Sequence, residues 1–166
     1  MTINMPITNP LRIGLRQERV IPPQCLVIFG ASGDLTHRKL VPALFELYKQ
    51  RRLPSEFALL GCARRKWSDN VFREKMANAL EDKINVNKNE WEQFSKSLFY
   101  EPVDLQVQED VIKLRSRLEE IDRIKATHGN RTFYLSVSPK FYGNGCRSLA
   151  AAGLLKDPKR SRIVIE

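Results

Sequence analysis

Cys25-Leu26-Val27-Ile28-Phe29-Gly30-Ala31-Ser32-Gly33-Asp34-Leu35-Thr36 is the stretch that decides the fold. Its opening residues form an unbroken apolar run of strand formers bounded by Pro23 and Gly30, the pattern of a strand buried on both faces. Helix signals follow at once. Leu40, Leu44, Leu47 and Tyr48 fall at i, i+4, i+7 and i+8, which predicts an amphipathic helix from about Leu35 to Arg51. Pro42 is tolerated near its first turns, and Leu53-Pro54 ends it. A strand that enters a helix through a turn carrying Gly30 and Gly33 presents backbone N–H groups at a helix start, where phosphate oxygens are attracted.

The same alternation continues outward. Phe57-Ala58-Leu59-Leu60-Gly61-Cys62-Ala63 is a second apolar run, and Ser68-Asp69 opens a helix with Val71, Phe72, Met76, Ala79 and Leu80 on one face. A short helix around Trp91 and Phe94 leads to a third strand, Leu98-Phe99-Tyr100, with Trp67 and Trp91 read as core anchors. Val111, Leu114, Leu118 and Ile121 mark a longer helix to about Lys125, and Gly129-Asn130 supplies the next turn. A fourth strand covers Thr132 to Val137, a helix covers about Phe141 to Ala152, and Ile163-Val164-Ile165 is a fifth strand cut off at the C-terminus. Strands alternating with helices argue for an α/β fold: a doubly wound, mostly parallel sheet of about five strands, truncated at its C-terminus, in a Rossmann-like dinucleotide-binding domain. That domain is expected over residues 24–166. Residues 1–23, with Pro6, Pro10, Pro22 and Pro23, read as a partly mobile N-terminal arm. In such sheets a ligand sits beyond the carboxyl ends of the strands, at the point where strand order reverses.

Composition narrows the class. A chain of 166 residues, 42% hydrophobic and 28% charged, suits one soluble domain, and no apolar run approaches the ~20 residues of a membrane span. Cys25, Cys62 and Cys146 are odd in number and form no C-x-x-C pair, which disfavours a disulfide framework and a zinc site and suits a reducing compartment. The first residues have neither a basic leader nor an unbroken apolar core, so a cytoplasmic location is the default expectation. His37 and His128 lack metal-site spacing, no Ser-His-acid or Cys-His arrangement stands out, and no metal is expected. The net charge of +9 is uneven: residues 30–66 and 131–166 carry +5 each, against +2 over 1–29 and −3 over 67–130. With no nucleic-acid motif, the two basic blocks point to a phosphorylated ligand rather than to nucleic acid or a membrane.

The turn at Gly30 departs from G-x-G-x-x-G, because Ser32 and Leu35 stand where its second and third glycines would be. A plain strand-to-helix turn with Asp34 as a capping residue is the alternative reading. About 20 residues beyond the glycine turn an NAD site carries an acidic residue for the ribose, whereas NADP needs a cation for the 2′-phosphate. Here the sequence is Ala63-Arg64-Arg65-Lys66, so NADP is favoured, with Arg64 as the bidentate candidate; a solvated basic loop is the alternative. Asp104-Leu105 follows the third strand, near where an adenine amine would be, although a surface-loop aspartate reads the same way. Ser136-Val137-Ser138-Pro139 and then Tyr142 would flank the nicotinamide half, and Tyr142 at helical spacing also reads as a packing residue. His37, within Thr36-His37-Arg38-Lys39, is placed to assist phosphate binding.

Val27-Ile28-Phe29-Gly30-Ala31-Ser32-Gly33-Asp34-Leu35, then Arg38-Lys39-Leu40 and Pro42-Ala43-Leu44, closely resembles the start of the bacterial NADP-dependent glucose-6-phosphate 1-dehydrogenases. Gly61-Cys62-Ala63-Arg64, Phe133-Tyr134-Leu135-Ser136-Val137-Ser138-Pro139 and Arg162-Ile163-Val164-Ile165-Glu166 match in order, with Ser138-Pro139 where many members have Pro-Pro. The resemblance spans about Pro10 to Glu166 and implies an NADP-binding portion of that enzyme. The family oxidises the C1 hydroxyl of glucose 6-phosphate to the 6-phosphogluconolactone and passes hydride to NADP⁺, in the oxidative pentose phosphate pathway. Carried over, Gly30, Ala31, Ser32, Gly33, Asp34, Leu35, Thr36 and His37 lie at the pyrophosphate, Arg64 at the 2′-phosphate, and Asp104, Leu105 and Tyr142 elsewhere along the cofactor. In the family the glutamate matching Glu166 is followed by Lys-Pro-Phe-Gly, then by an Asp-His-Tyr motif, a base histidine outside that motif and a large second domain. None of these lies in the present sequence, so the resemblance carries over no catalytic residue, and the chain is expected to be inactive alone. The alternative is a non-catalytic NADP(H)-binding module that associates with a full-length dehydrogenase.

Overall fold

The computed structural model describes residues 21–81 and 86–166. Most of the arm expected over 1–23 therefore lies outside the described residues. The apolar runs form five strands: β1 (Gln24–Phe29), β2 (Phe57–Ala63), β3 (Leu98–Pro102), β4 (Arg131–Leu135) and β5 (Ser161–Ile165). They pair in the order β3-β2-β1-β4-β5, and every pairing is parallel rather than mostly so. Among the described residues five α-helices accompany them: α1 (Val41–Lys49), α2 (Asp69–Glu81), α3 (Lys88–Ser95), α4 (Gln108–Lys125) and α5 (Tyr142–Ala151). From β1 the chain steps outward to β3, then returns past β1 to β4. Strand order thus reverses between β1 and β4, the place where a doubly wound sheet opens a crevice at its carboxyl edge.

Two cores explain the continuous apolar runs. Alternate side chains of a strand face opposite sides. Cys25, Val27 and Phe29 of β1, with Ala58, Leu60 and Cys62 of β2, pack under α4 and α5, against Val111, Leu114, Leu118, Ile121 and Leu149. Ile28 of β1, with Phe57 and Leu59 of β2, packs against Val41, Phe45, Phe72, Met76 and Phe94 of α1, α2 and α3. A strand covered by helices on both sides needs apolar residues at every position. Gly61 interrupts β2 where space is short: a Cβ there would lie 2.8 Å from Phe72 Cζ and 3.0 Å from Ala31 Cβ.

Several expectations are corrected. The helix predicted from Leu35 to Arg51 is divided into a π-helical turn, Thr36–Leu40, in which Val41 N–H donates to Thr36 O, and α1. Pro42 has no N–H for an i−4 carbonyl, and its ring would crowd that carbonyl in a regular helix, so the wider turn precedes it. The fully buried positions of α1 are Val41 and Phe45, whereas Leu44, Leu47 and Tyr48 are half-buried. Val71, expected on the apolar face of α2, is exposed, because the helix turns Phe72, Met76 and Leu80 inward. The fourth strand ends at Leu135, and a 3₁₀ turn, Pro139–Phe141, precedes α5. β5 is not buried on both faces like β1 and β2: Val164 and Ile165 are exposed, whereas β3 at the other edge buries Leu98, Phe99 and Tyr100.

Candidate functional site

At the carboxyl ends of β1 to β4 lies a cleft of about 790 Å³, within the size range of small-molecule and cofactor sites. Each of the four strands contributes its following loop. Gly30, Ser32 and Gly33 come from the β1 turn, Arg64 and Arg65 from the β2 loop, Asp104 and Leu105 from the β3 loop, and Ser136, Val137 and Ser138 from the β4 loop. The sequence placed candidates after these same four strands because parallel strands share one carboxyl edge.

The floor is built from backbone. Gly30 N–H and Ala31 N–H both donate to Cys62 O, at 2.8 and 3.1 Å, while Ser136 N–H donates to Phe29 O at 3.0 Å. These bonds draw the turn, β2 and β4 together. Gly30 has φ +86°, and a Cβ on it would lie 2.0 Å from Ser136 O, so only glycine suits the position. Gly33 N–H donates to Gly30 O at 2.8 Å and closes the turn. The helix begins directly beyond it, and the first N–H groups of a helix have no intrahelical acceptor. Such a turn gives close approach to main-chain donors, the property that phosphate binding requires.

The side chains divide in two. Gly30, Ser32, Gly33, Arg64, Asp104 and Leu105 line the cleft, together with Ser136, Val137 and Ser138. Ala31, Asp34, Leu35, Thr36, His37 and Tyr142 are not among its lining residues. Asp34 is exposed and pairs with Arg38 at 3.4 Å. Ala31 is buried in the core beneath the turn. Thr36 is fully buried, and its Oγ1 and the Nε2 of His37 are buried without a hydrogen-bond partner. Tyr142 packs beside the α4 and α5 core, and its hydroxyl donates to Glu166 O. Asp104 Oδ1 accepts Gln106 N–H at 3.0 Å, closing a local turn, while Asp104 N–H donates to Asp110 Oδ2.

Electrostatically the cleft has cations on one wall. Arg64 and Arg65 are both exposed, and the Arg65 guanidinium lies 5.6 Å from the Trp67 ring. Burial pushes the His37 imidazole below its ordinary value of 6.5, and the nearby Lys75 and Arg65 charges add to that against the opposing pull of Asp34. Burial also pushes the Tyr100 phenol up to about 12. Sequence reasoning passed over Arg65 as a cleft residue in its own right, and over Gln106 and Phe141. Arg65 had a signal in the Arg64-Arg65-Lys66 triplet; Phe141 reaches the cleft through the 3₁₀ turn, which no periodicity announces. Among the described residues no group of His, Cys, Asp and Glu is arranged to hold a metal ion, and no helix is long and apolar enough to cross a membrane.

The sheet order, the glycine turn pressed onto β4 and the crevice at the reversal point together define a Rossmann-like domain of the dinucleotide-binding class. Comparison with known proteins makes the assignment narrower. Residues 27–166 match the family model described as "Glucose-6-phosphate dehydrogenase, NAD binding domain", and the chain belongs to that family. A glucose-6-phosphate 1-dehydrogenase of Aggregatibacter actinomycetemcomitans is 43% identical over 143 residues, covering 86% of this chain and 29% of the relative. That of Chlamydia pneumoniae is 42% identical over 134 residues, covering 78% of this chain and 26% of the relative. A solved glucose-6-phosphate dehydrogenase in complex with its substrate glucose-6-phosphate superposes with a TM-score of 0.72 at 26% identity, over 87% of this chain and 30% of that one. The chain thus spans under a third of the length of these relatives.

Proposed function

We propose that this chain is the NADP-binding part of a glucose-6-phosphate 1-dehydrogenase, an oxidoreductase that converts glucose 6-phosphate and NADP⁺ to the 6-phosphogluconolactone and NADPH. The observation that carries this reading is the presence in one cleft of the turn at Gly30, which has no room for a Cβ, and of Arg64 and Arg65. The turn would hold the pyrophosphate, with Gly30, Ser32 and Gly33 lining the cleft, Ala31 buried beneath them, and Asp34 to His37 forming the helix start behind. Arg64, with its planar, permanently charged donor fork, would take the 2′-phosphate. Asp104 and Leu105 would lie along the adenosine half, and Ser136 to Ser138 along the nicotinamide half. Bound NADP⁺ supplies a hydride acceptor; the residues of this chain bind and orient it. Within the chain we read residues 24–166 as the binding domain and residues 1–23 as an arm, with glucose 6-phosphate a ligand of the whole enzyme.

Calorimetric titration with NADP⁺ and NAD⁺ tests this reading. NADP⁺ is expected to bind the more tightly, and Arg64→Ala is expected to weaken NADP⁺ about tenfold or more while sparing NAD⁺, since it removes a charge-assisted contact. Equal binding of the two cofactors, or an indifferent Arg64→Ala, would defeat the assignment.

A further inference from the structure

Tyr100 and Trp67 do not line the cleft, yet both touch the loop that carries its cations. Tyr100, from β3, is 3% exposed, and its hydroxyl donates to Arg65 O at 2.8 Å with Ala63 O as a second acceptor at 3.3 Å. Its ring lies 5.4 Å from that of Trp67. Trp67 N–H in turn donates to Arg65 O at 3.0 Å, and the Trp67 ring carries the Arg65 guanidinium on its face. Arg65 is therefore held at both ends, its carbonyl by a phenol and its guanidinium by an indole.

We propose that Tyr100 and Trp67 are positioning residues that hold the Arg64-Arg65 loop ready for an anionic group on the cofactor, and so help to select a phosphorylated cofactor over an unphosphorylated one. The inference rests on the reading of the cleft as a dinucleotide site with Arg64 and Arg65 at the 2′-phosphate. A long cationic side chain that is free before binding loses rotamer freedom on binding; one already laid on an aromatic face has lost part of it beforehand. Lys75 Nζ, from α2, lies 5.2 Å from the same Trp67 ring. An anion brought to Arg65 on that ring therefore meets the field of two positive charges. An unphosphorylated ribose carries no charge to meet that field, so the arrangement discriminates rather than tightening binding in general. The Tyr100 hydroxyl remains a donor through the neutral range, because burial holds its proton on.

Removal of the hydroxyl does not strip the loop of its hydrogen bonds. Arg65 O keeps Trp67 N–H, and Ala63 O keeps Val103 N–H at 3.0 Å. Tyr100→Phe should accordingly fold. The test is calorimetric titration of the chain, Tyr100→Phe, Trp67→Phe and Trp67→Leu with NADP⁺ and with NAD⁺, with Tyr48→Phe in α1 as a hydroxyl-loss control. Tyr100→Phe is expected to weaken NADP⁺ about fivefold and NAD⁺ less than about twofold, the size of one lost hydrogen bond. Trp67→Leu should act in the same direction, and Trp67→Phe, which keeps an aromatic face, should recover most of the loss. Tyr100→Phe and Trp67→Leu both leaving the cofactor ratio at the parent value would overturn the inference while the cofactor assignment stands. A parallel loss of both cofactors would also overturn it, as the mark of a merely structural role. A parent chain that binds NADP⁺ no better than NAD⁺ would remove the assignment and the inference together. Should Tyr100→Phe fail to fold, the two Trp67 variants decide the matter alone.

Discussion

His37 stands where the glycine turn meets the π turn, with its Nε2 buried and no hydrogen-bond partner. Its charged form is disfavoured first by burial, then by Lys75 and Arg65, with Asp34 pulling the other way. A histidine whose folded value lies below the unfolded 6.5 binds fewer protons in the folded chain than in the unfolded one. Its contribution to stability is therefore fully present above pH 6.5 and is lost as pH falls through the folded value. Urea unfolding at pH 7.5 and at pH 5.5 should show lower stability at the acid end, and His37→Asn should flatten that difference. An unchanged slope in the variant would show that another group carries it. At this scale the sequence was legible where a residue acts alone: Gly30 by its missing Cβ, and Arg64 as a cleft residue by its place directly after β2. Tyr100 was not legible, because its partner Arg65 lies 35 positions away and only the pairing of β2 with β3 brings the two together.

Among the elements, the two sheet edges are treated differently. At the β3 edge, Asp69 Oδ1 accepts Tyr100 N–H at 2.7 Å, and Arg73 Nε donates to Leu98 O at 2.9 Å. Both side chains come from α2, so the helix supplies the partners that a neighbouring strand would have supplied. Asp69 Oδ2 also pairs with Arg117 of α4 at 2.7 Å, and Arg117 reaches Glu120 at 2.6 Å. Asp69 thus joins α2, β3 and α4. Asp69→Ala leaves a strand N–H and a half-buried guanidinium each short of an acceptor, and should cost about 2 kcal/mol in urea unfolding. A loss under about 0.5 kcal/mol would show that solvent replaces the carboxylate freely. The serine and aspartate at 68 and 69 were legible as a helix start, and Ser68 Oγ does accept Val71 N–H at 3.3 Å. The edge-capping role of Asp69 was not, since nothing local marks β3 as the outermost strand.

Across the whole molecule, β5 is the outermost strand on the other side among the described residues. β5 pairs with β4 on one side, while Val164 is 40% and Ile165 53% exposed. An apolar strand at the edge of a sheet invites further strand pairing. Concentration-dependent association is therefore expected in sedimentation velocity, and Ile165→Lys, which places a charge on that edge, should suppress it. A parent chain that stays monomeric at high concentration would count against the surface.

The sequence by itself determined the alternation of strands and helices, the doubly buried character of β1 and β2, and the glycine turn with its basic loop. Each of these is local: an apolar run, a helical period, or a residue type whose chemistry is independent of its neighbours. Tertiary structure alone decided the order β3-β2-β1-β4-β5, which gathers four strand ends around one cleft, and which members of the Gly30 to His37 segment face it. It also decided that Tyr142 bonds to Glu166 rather than lining the cleft. These features depend on which strands become neighbours, and strand pairing joins residues too far apart in the chain for any local pattern to record.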